Sequence, residues 1–182
     1  MRYATNQQLS GLNAGPQRRR REQKAMDRPY YILLADNHAG FRREVRKILE
    51  EIPGVKVTGE AGNRRELFAL LRESTPKLVI LDISLPDLRA REGTQFIRMH
   101  YPETQVLITV LDQGSEYLIH GLAAGAAGVL PKQYAGGQIA PAITAVRQGK
   151  IYMPPHAPGN NFPPQAAPMA TGVARPAGTT NR

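Results

Sequence analysis

Three residues of this chain have side chains suited to one kind of chemistry. Asp36, Asp82 and Lys132 each stand at or just after the end of a short apolar run. A carboxylate can attack phosphorus and form an acyl phosphate. A second carboxylate can hold Mg²⁺, which binds few protein oxygens and keeps several waters, while an ammonium neutralises charge on a transferring phosphoryl group. Together, the three residue types indicate phosphoryl chemistry.

The elements that must position these residues are short strands alternating with amphipathic helices. Apolar runs predict strands at 30–35, 55–57, 77–81, 105–110 and 127–130, and helical spacing predicts helices at 39–51, 67–71, 93–100, 117–122 and 139–146. Such alternation predicts a parallel sheet with helices on both faces. Because ligands of such sheets bind at the carboxyl ends of the strands, we expect Asp36, Asp82 and Lys132 to converge there.

A plainer interpretation exists for each acid taken alone. Aspartates often follow strands as N-caps of the next helix. This alternative accounts for Asp36 or Asp82 singly, but it does not account for Lys132 at a third strand end.

Charge and composition divide the chain into three parts. The net charge of the chain is +9, but residues 29–150 hold 15 basic and 13 acidic residues. This middle part is nearly neutral and does not show the positive charge typical of a nucleic-acid-binding surface. We predict a basic disordered extension at 1–28, which contains the arginine run 18–21, a globular domain at 29–153, and a disordered tail rich in Pro, Ala and Gly at 154–182.

The sequence lacks the residues that several classes of function require. The chain has no cysteine, which excludes disulfides and thiolate zinc sites. Its four histidines show no ligand spacing, and its serines have no paired base. No apolar run approaches the roughly 20 residues that span a bilayer, and the first 30 residues lack the apolar middle of a secretory signal. We therefore expect a cytoplasmic protein with no membrane partner.

The motifs between about 30 and 153 resemble the receiver domain of bacterial response regulators, most closely the LuxR/NarL-type branch. The matching segments follow in family order: ILLADNHAGFR at 32–42, VTGEAGN at 57–63, LVILDISLPD at 78–87, YPETQVLI at 101–108, EYLIHGLAAGAAGVLPK at 116–132 and AITAVRQGKIYMPP at 142–155. The resemblance covers some two thirds of the chain. It implies a flavodoxin-like (CheY-like) α/β fold with a five-stranded parallel sheet in the order 2-1-3-4-5.

The resemblance also assigns roles at the predicted edge. Asp82 matches the phosphoacceptor, Asp36 matches the first of two paired acids that hold Mg²⁺, and Lys132 matches the active-site lysine that binds the phosphoryl group. The implied phosphodonor is a histidine kinase or a small acyl phosphate.

Four positions depart from the family pattern. The second paired acid falls on Asn37, whose amide still offers an oxygen but no charge, so we expect weak Mg²⁺ binding. The hydroxyl residue that ends the fourth strand falls on Val110, and the switch aromatic of the fifth strand falls on Val129. Thr109 lies one residue before Val110, and a shift of one residue points a side chain to the opposite face. The glycine after the phosphoacceptor falls on Ala90.

The region after Tyr152 shows a further departure. LuxR/NarL-type regulators continue into a helix-turn-helix domain, but no helical pattern follows Tyr152, so we expect no sequence-specific DNA binding.

Three functions follow as hypotheses. The first is a phosphoacceptor receiver of a two-component phosphorelay that is not an enzyme and signals by contact with an unidentified downstream protein, or as a homodimer. The contact face would comprise the last two helices and the fifth strand. The second is a pseudo-receiver that binds a partner without phosphorylation, motivated by Asn37, Val110 and Val129. The third is a truncated LuxR-type transcription regulator.

Met26 stands four residues before the first predicted strand. We therefore expect residues 1–25 to be an upstream extension absent from the native product. Mass spectrometry of the protein from its native host checks this, and an N-terminal peptide that begins at or before residue 20 would contradict it.

Overall fold

The computed structural model describes residues 29–111 and 120–154. The strands are β1 (Tyr30–Ala35), β2 (Val55–Ala61), β3 (Leu78–Asp82), β4 (Gln105–Val110) and β5 (Gly128–Pro131). The helices are α1 (Ala39–Glu50), α2 (Arg64–Glu73), α3 (Ala90–His100) and α4 (Ala135–Arg147), with a 3₁₀ turn at Lys132–Tyr134. Residues 120–123 are also helical.

The five strands form one sheet in the order β2-β1-β3-β4-β5, and every pair of neighbours is parallel. The predicted fold class and strand order are confirmed. Each crossover between parallel strands needs a connecting segment, and the helices supply it. The carboxyl ends of β1, β3 and β5 therefore open onto the same edge of the sheet.

Both faces of the sheet are covered, which explains why its central strands are apolar without alternation. A first core cluster lies on the α2–α3 face and includes Leu33, Val79, Leu81, Ile108 and Val110 from the strands. A second core cluster lies on the α1–α4 face and includes Ile32, Leu34, Ile80, Leu107 and Leu130. Successive residues of a central strand therefore belong to different clusters, because their side chains lie on opposite faces of the sheet.

The helices begin where side chains satisfy their free amides. The Asn63 side chain accepts a hydrogen bond from the Glu66 amide, and the Glu66 carboxylate accepts one from the amide of Gly62. This exchange is a variant of the capping box. On α1, the ring nitrogen Nδ1 of His38 accepts from the amide of Phe41. Asp36 is therefore not the N-cap of α1.

Some boundaries differ from those expected. Strand β2 continues beyond Val57 to Ala61. Its pairing with β1 shifts register between Ile32 and Leu33, and the Thr58 hydroxyl donates to the Ile32 carbonyl at this irregularity. Helix α3 begins at Ala90, earlier than its weak pattern indicated. Residues 117–119 of the predicted fourth helix, and the predicted disorder of 1–28 and 155–182, lie outside the described residues.

The segment after α4 returns to the sheet. Tyr152 forms a parallel bridge with Gly128, and its amide donates to the carbonyl of Ala127 at 2.8 Å. Gly128 permits this approach, because a Cβ there would lie 2.7 Å from the Tyr152 carbonyl oxygen. The Tyr152 ring is buried, and its hydroxyl donates to Gln138 on α4.

Within the ranges 29–111 and 120–154, no helix has the length and apolar character needed to cross a membrane.

Candidate functional site

Lys132 binds both aspartates that the sequence singled out. Its Nζ lies 2.7 Å from Oδ2 of Asp36 and 3.1 Å from Oδ1 of Asp82. The side chains are 10%, 5% and 0% exposed, respectively, so water screens these interactions little. Two carboxylates share one ammonium, which leaves a net charge of −1 at the edge of the sheet. This charge favours an additional cation.

Three elements bring the groups together. Asp36 follows β1, Asp82 ends β3, and Lys132 follows β5 in the 3₁₀ turn. Strand β1 pairs with β3, so Asp36 and Asp82 project from neighbouring strand ends. The predicted convergence of Asp36, Asp82 and Lys132 is what the structure shows.

The segment that carries Asp36 is held on both sides. Oδ1 of Asp36 accepts a hydrogen bond of 2.8 Å from the amide of His38. The main-chain carbonyl of Asp36 accepts a hydrogen bond from Nη1 of Arg42. Arg42 is in turn fixed by Glu60 on β2, at 3.1 Å. Partial burial opposes ionisation of Glu60, but hydrogen bonds from Arg46 and Arg42 outweigh it and lower the pKa of Glu60 below its ordinary value.

Asp82 has a second polar neighbour. The hydroxyl of Ser84 donates to Oδ2 of Asp82 at 3.0 Å. The two oxygens of Asp82 are thus differentiated, because one contacts the ammonium and the other accepts from a partly exposed hydroxyl.

The structure corrects the assignment of Val110 as the residue in the hydroxyl position. Asp82 pairs in register with Thr109, so their side chains lie on the same face of adjacent strands. Val110 belongs to the first core cluster, on the opposite face. Thr109 is 1% exposed, and within the described residues its Oγ1 has no hydrogen-bond partner. A buried hydroxyl without a partner beside Asp82 is free to bind a group that arrives there.

The donor set fits a magnesium ion. Mg²⁺ is usually held by one or two carboxylates together with waters, and Asp36 and Asp82 supply two. Oδ2 of Asp36 and Oδ1 of Asp82 are buried and meet the Lys132 ammonium as ion pairs, with no hydrogen bond of good geometry in the described structure. Asn37 is exposed next to Asp36 and offers a neutral amide oxygen. The described residues contain no cluster of three or more His, Cys or acidic side chains suited to a metal.

Val129 is fully buried in the first core cluster. A Cβ at Gly121 would lie 3.0 Å from Cγ2 of Val129 and 3.1 Å from Cδ1 of Ile108. The helical residues 120–123 therefore pack directly on β5 and β4, and little space is left around Val129 for a moving ring.

Two neighbours of the site, Phe41 and Ser84, carry no sequence motif that points to it. The ring of Phe41 faces Lys132, with Nζ 5.0 Å from the ring centroid. In the sequence, Phe41 falls on the apolar side of the helix predicted at 39–51, which indicates only a core position. Ser84 has no paired base in the sequence, so nothing there indicates a catalytic role for it. Its position two residues after Asp82 was the one available signal.

Comparisons with known proteins agree with this geometry. The family described as "Response regulator receiver domain" matches residues 32–144, more than half of the chain. The chain therefore belongs to this family, and it is a receiver domain of the two-component response regulators. This is a signalling family whose members generally bind Mg²⁺ at the phosphorylation site and pair with histidine kinases.

Individual relatives support the LuxR/NarL-type branch. The chain is 30% identical to the response regulator UvrY of Escherichia coli over 122 residues, which cover 67% of this chain and 56% of UvrY. A LuxR-family response regulator from Aurantimonas is 33% identical, with a TM-score of 0.66, over 70% of this chain and 91% of that one. The receiver domain of RcsB from Salmonella enterica, solved with the phosphomimetic BeF₃⁻, is 25% identical, with a TM-score of 0.65, over 70% of this chain and 94% of that one. The chain spans about half the length of the curated relatives it matches.

The buried ion cluster has a testable energetic consequence. Lys132→Met leaves two buried carboxylates without their cation, so we expect a loss of about 3–5 kcal/mol in the free energy of unfolding at pH 7. Chemical denaturation of the full chain measures it. Lys77→Met is the matched control, because Lys77 forms an exposed ion pair with Glu103 and should lose less than about 1 kcal/mol. Equal losses in the two variants would contradict the buried ion pair.

Proposed function

We propose that Asp82 accepts a phosphoryl group from a histidine kinase or a small acyl phosphate. The observation that carries the proposal is the Asp82 carboxylate, fully buried at the carboxyl edge of the sheet and 3.1 Å from the Lys132 ammonium. A carboxylate oxygen of Asp82 bonds to phosphorus while the bond from phosphorus to the donor's oxygen or nitrogen breaks. The product is an acyl phosphate on Asp82, and the donor's leaving group departs with the electron pair.

Asp36 and Asp82 are the proposed carboxylate ligands of Mg²⁺, with Asn37 next to them. When bound, the ion supplies positive charge that offsets the charge of the phosphoryl oxygens. Asn37 contributes no charge, so the proposed affinity is weak.

Lys132 and Thr109 are the proposed phosphoryl-binding groups. Lys132 already touches Asp82, so a phosphoryl group on that residue offers the ammonium a new anionic partner. The Thr109 hydroxyl lies on the same face as Asp82 and has no partner in the described structure, so it can donate a charge-assisted hydrogen bond. Val110 faces the other way and has no proposed role in binding.

The proposed output is contact with a downstream protein, or pairing of two copies of this chain, through the face made by the helical residues 120–123, β5 and α4. RcsB, a relative of known structure, is described as forming dimers bound to DNA. The described residues contain no DNA-binding domain, so we propose no sequence-specific DNA binding for them. We further propose that the chain carries the phosphoryl group as a signal, without turnover as an enzyme, and acts in the cytoplasm, where response regulators are generally found.

The pseudo-receiver interpretation is not favoured. One of its three grounds was the absence of a hydroxyl at the end of β4, and Thr109 occupies the face that Val110 does not. Asn37 and Val129 are the two departures that still support it.

Phosphorylation of Asp82 is tested with the full chain, acetyl phosphate and Mg²⁺. We expect one phosphoryl group by intact-mass spectrometry on the native sequence and none on Asp82→Asn, which keeps the shape of the side chain but lacks the nucleophilic carboxylate. Equal labelling of the two proteins would refute the assignment. No labelling of the native sequence at high Mg²⁺ would point to the pseudo-receiver.

The role of Thr109 is tested by Thr109→Val, which removes the hydroxyl and keeps the shape. The loss of one charge-assisted hydrogen bond should slow labelling by acetyl phosphate about tenfold or more. Val110→Ala is the control at the neighbouring position, and it should label at the native rate because Val110 faces the opposite cluster. The reverse order of effects would restore Val110 as the relevant position.

A further inference from the structure

Lys132 has a third contact besides its two carboxylates. Its Nζ lies 5.0 Å from the ring centroid of Phe41, within the range of a cation–π interaction. The Lys132 side chain is 10% exposed and Phe41 is half-buried, so this attraction operates where water weakens it little.

The position of the Phe41 ring is coupled to Asp36 through a closed set of contacts. The amide of Phe41 donates to Nδ1 of His38, and the amide of His38 donates to Oδ1 of Asp36. The other oxygen of Asp36 binds Lys132, which faces the ring of Phe41. The N-terminus of α1 and the Lys132 ammonium are therefore one connected unit around Asp36.

We propose that Phe41 is a positioning residue that holds the Lys132 ammonium at the phosphorylation site. This inference rests on the proposed phosphoacceptor role of Asp82.

Phe41 is needed because the ion pairs of Lys132 with Asp36 and Asp82 weaken when a metal cation binds. A cation that binds Asp36 and Asp82 competes with Lys132 for the same oxygens, and the ammonium then loses part of its attraction to both. A lysine side chain has four flexible methylenes, so a weakened partner lets it turn toward solvent. The attraction to the face of Phe41 does not depend on the carboxylates. It keeps the ammonium close to Asp82, where the incoming phosphoryl oxygens need it.

The test compares variants of the full chain labelled with acetyl phosphate at saturating Mg²⁺. Phe41→Leu keeps an apolar side chain and removes the aromatic face, and the labelling rate should fall about tenfold. Phe41→Tyr keeps the face and should restore the rate to within about twofold of native. A rate in Phe41→Leu equal to the native rate, or an equal fall in Phe41→Tyr, would overturn the proposal.

Phe68 offers a matched control in the same molecule. It is also a half-buried phenylalanine on a helix with a cation over its ring, because the guanidinium carbon of Arg64 lies 5.4 Å from its centroid. Phe68→Leu should label at the native rate. A fall equal to that of Phe41→Leu would show a general packing effect and overturn the positioning role.

A second readout separates this proposal from the proposed function. The ring current of Phe41 should shift the NMR signal of the Lys132 ε-methylene upfield. This shift should vanish in Phe41→Leu and persist in Phe41→Tyr. If the native chain takes no label, the phosphoacceptor assignment fails, but the methylene shift still decides the contact. An identical signal in native protein and Phe41→Leu would overturn the positioning role.

Discussion

One ammonium shared by two buried carboxylates is the interaction on which the rest of the site depends. Asp36, Asp82 and Lys132 come from three separate strand ends, and none of the three charges is stable alone at this depth. The cluster therefore fixes how β1, β3 and the turn after β5 meet. It also leaves one uncompensated negative charge, which favours a further cation at this edge of the sheet.

The surroundings of the cluster restrict it further. Arg42 and Glu60 secure the main chain of Asp36 from β2, and the cap of α1 secures its carboxylate. On the other side of the sheet, Gly121 allows its helix to lie directly against Val129. The main chain and carboxylate of Asp36 are thus held by several hydrogen bonds. The surroundings of Val129, where the family usually has a movable aromatic ring, are closely packed.

The sequence predicts the site well where the residues concerned lie at the ends of the predicted strands. Alternating strands and helices predict a parallel sheet, and a parallel sheet places the strand ends at one edge, so Asp36, Asp82 and Lys132 could be brought together before any coordinates. Thr109 could not be assigned in this way. Both faces of β4 are buried from Val106 to Val110, so no alternation of apolar and polar residues shows which residue stands beside Asp82. The length of β2 and the bridge made by Tyr152 depend on long-range pairing, which local pattern does not encode.

The bridge between Tyr152 and Gly128 has a consequence for self-association. An open edge strand exposes unpaired amides and carbonyls that can template a strand from another molecule. At the β5 edge, the chain itself occupies part of this hydrogen-bonding capacity, and Pro131 has no amide hydrogen to offer. Two copies of this protein are thereby discouraged from joining their sheets edge to edge at β5, and association on that side is left to side chains on the neighbouring helices. Side-chain contacts between two copies can change with small movements, whereas a sheet continued across both copies would hold them together by many main-chain hydrogen bonds.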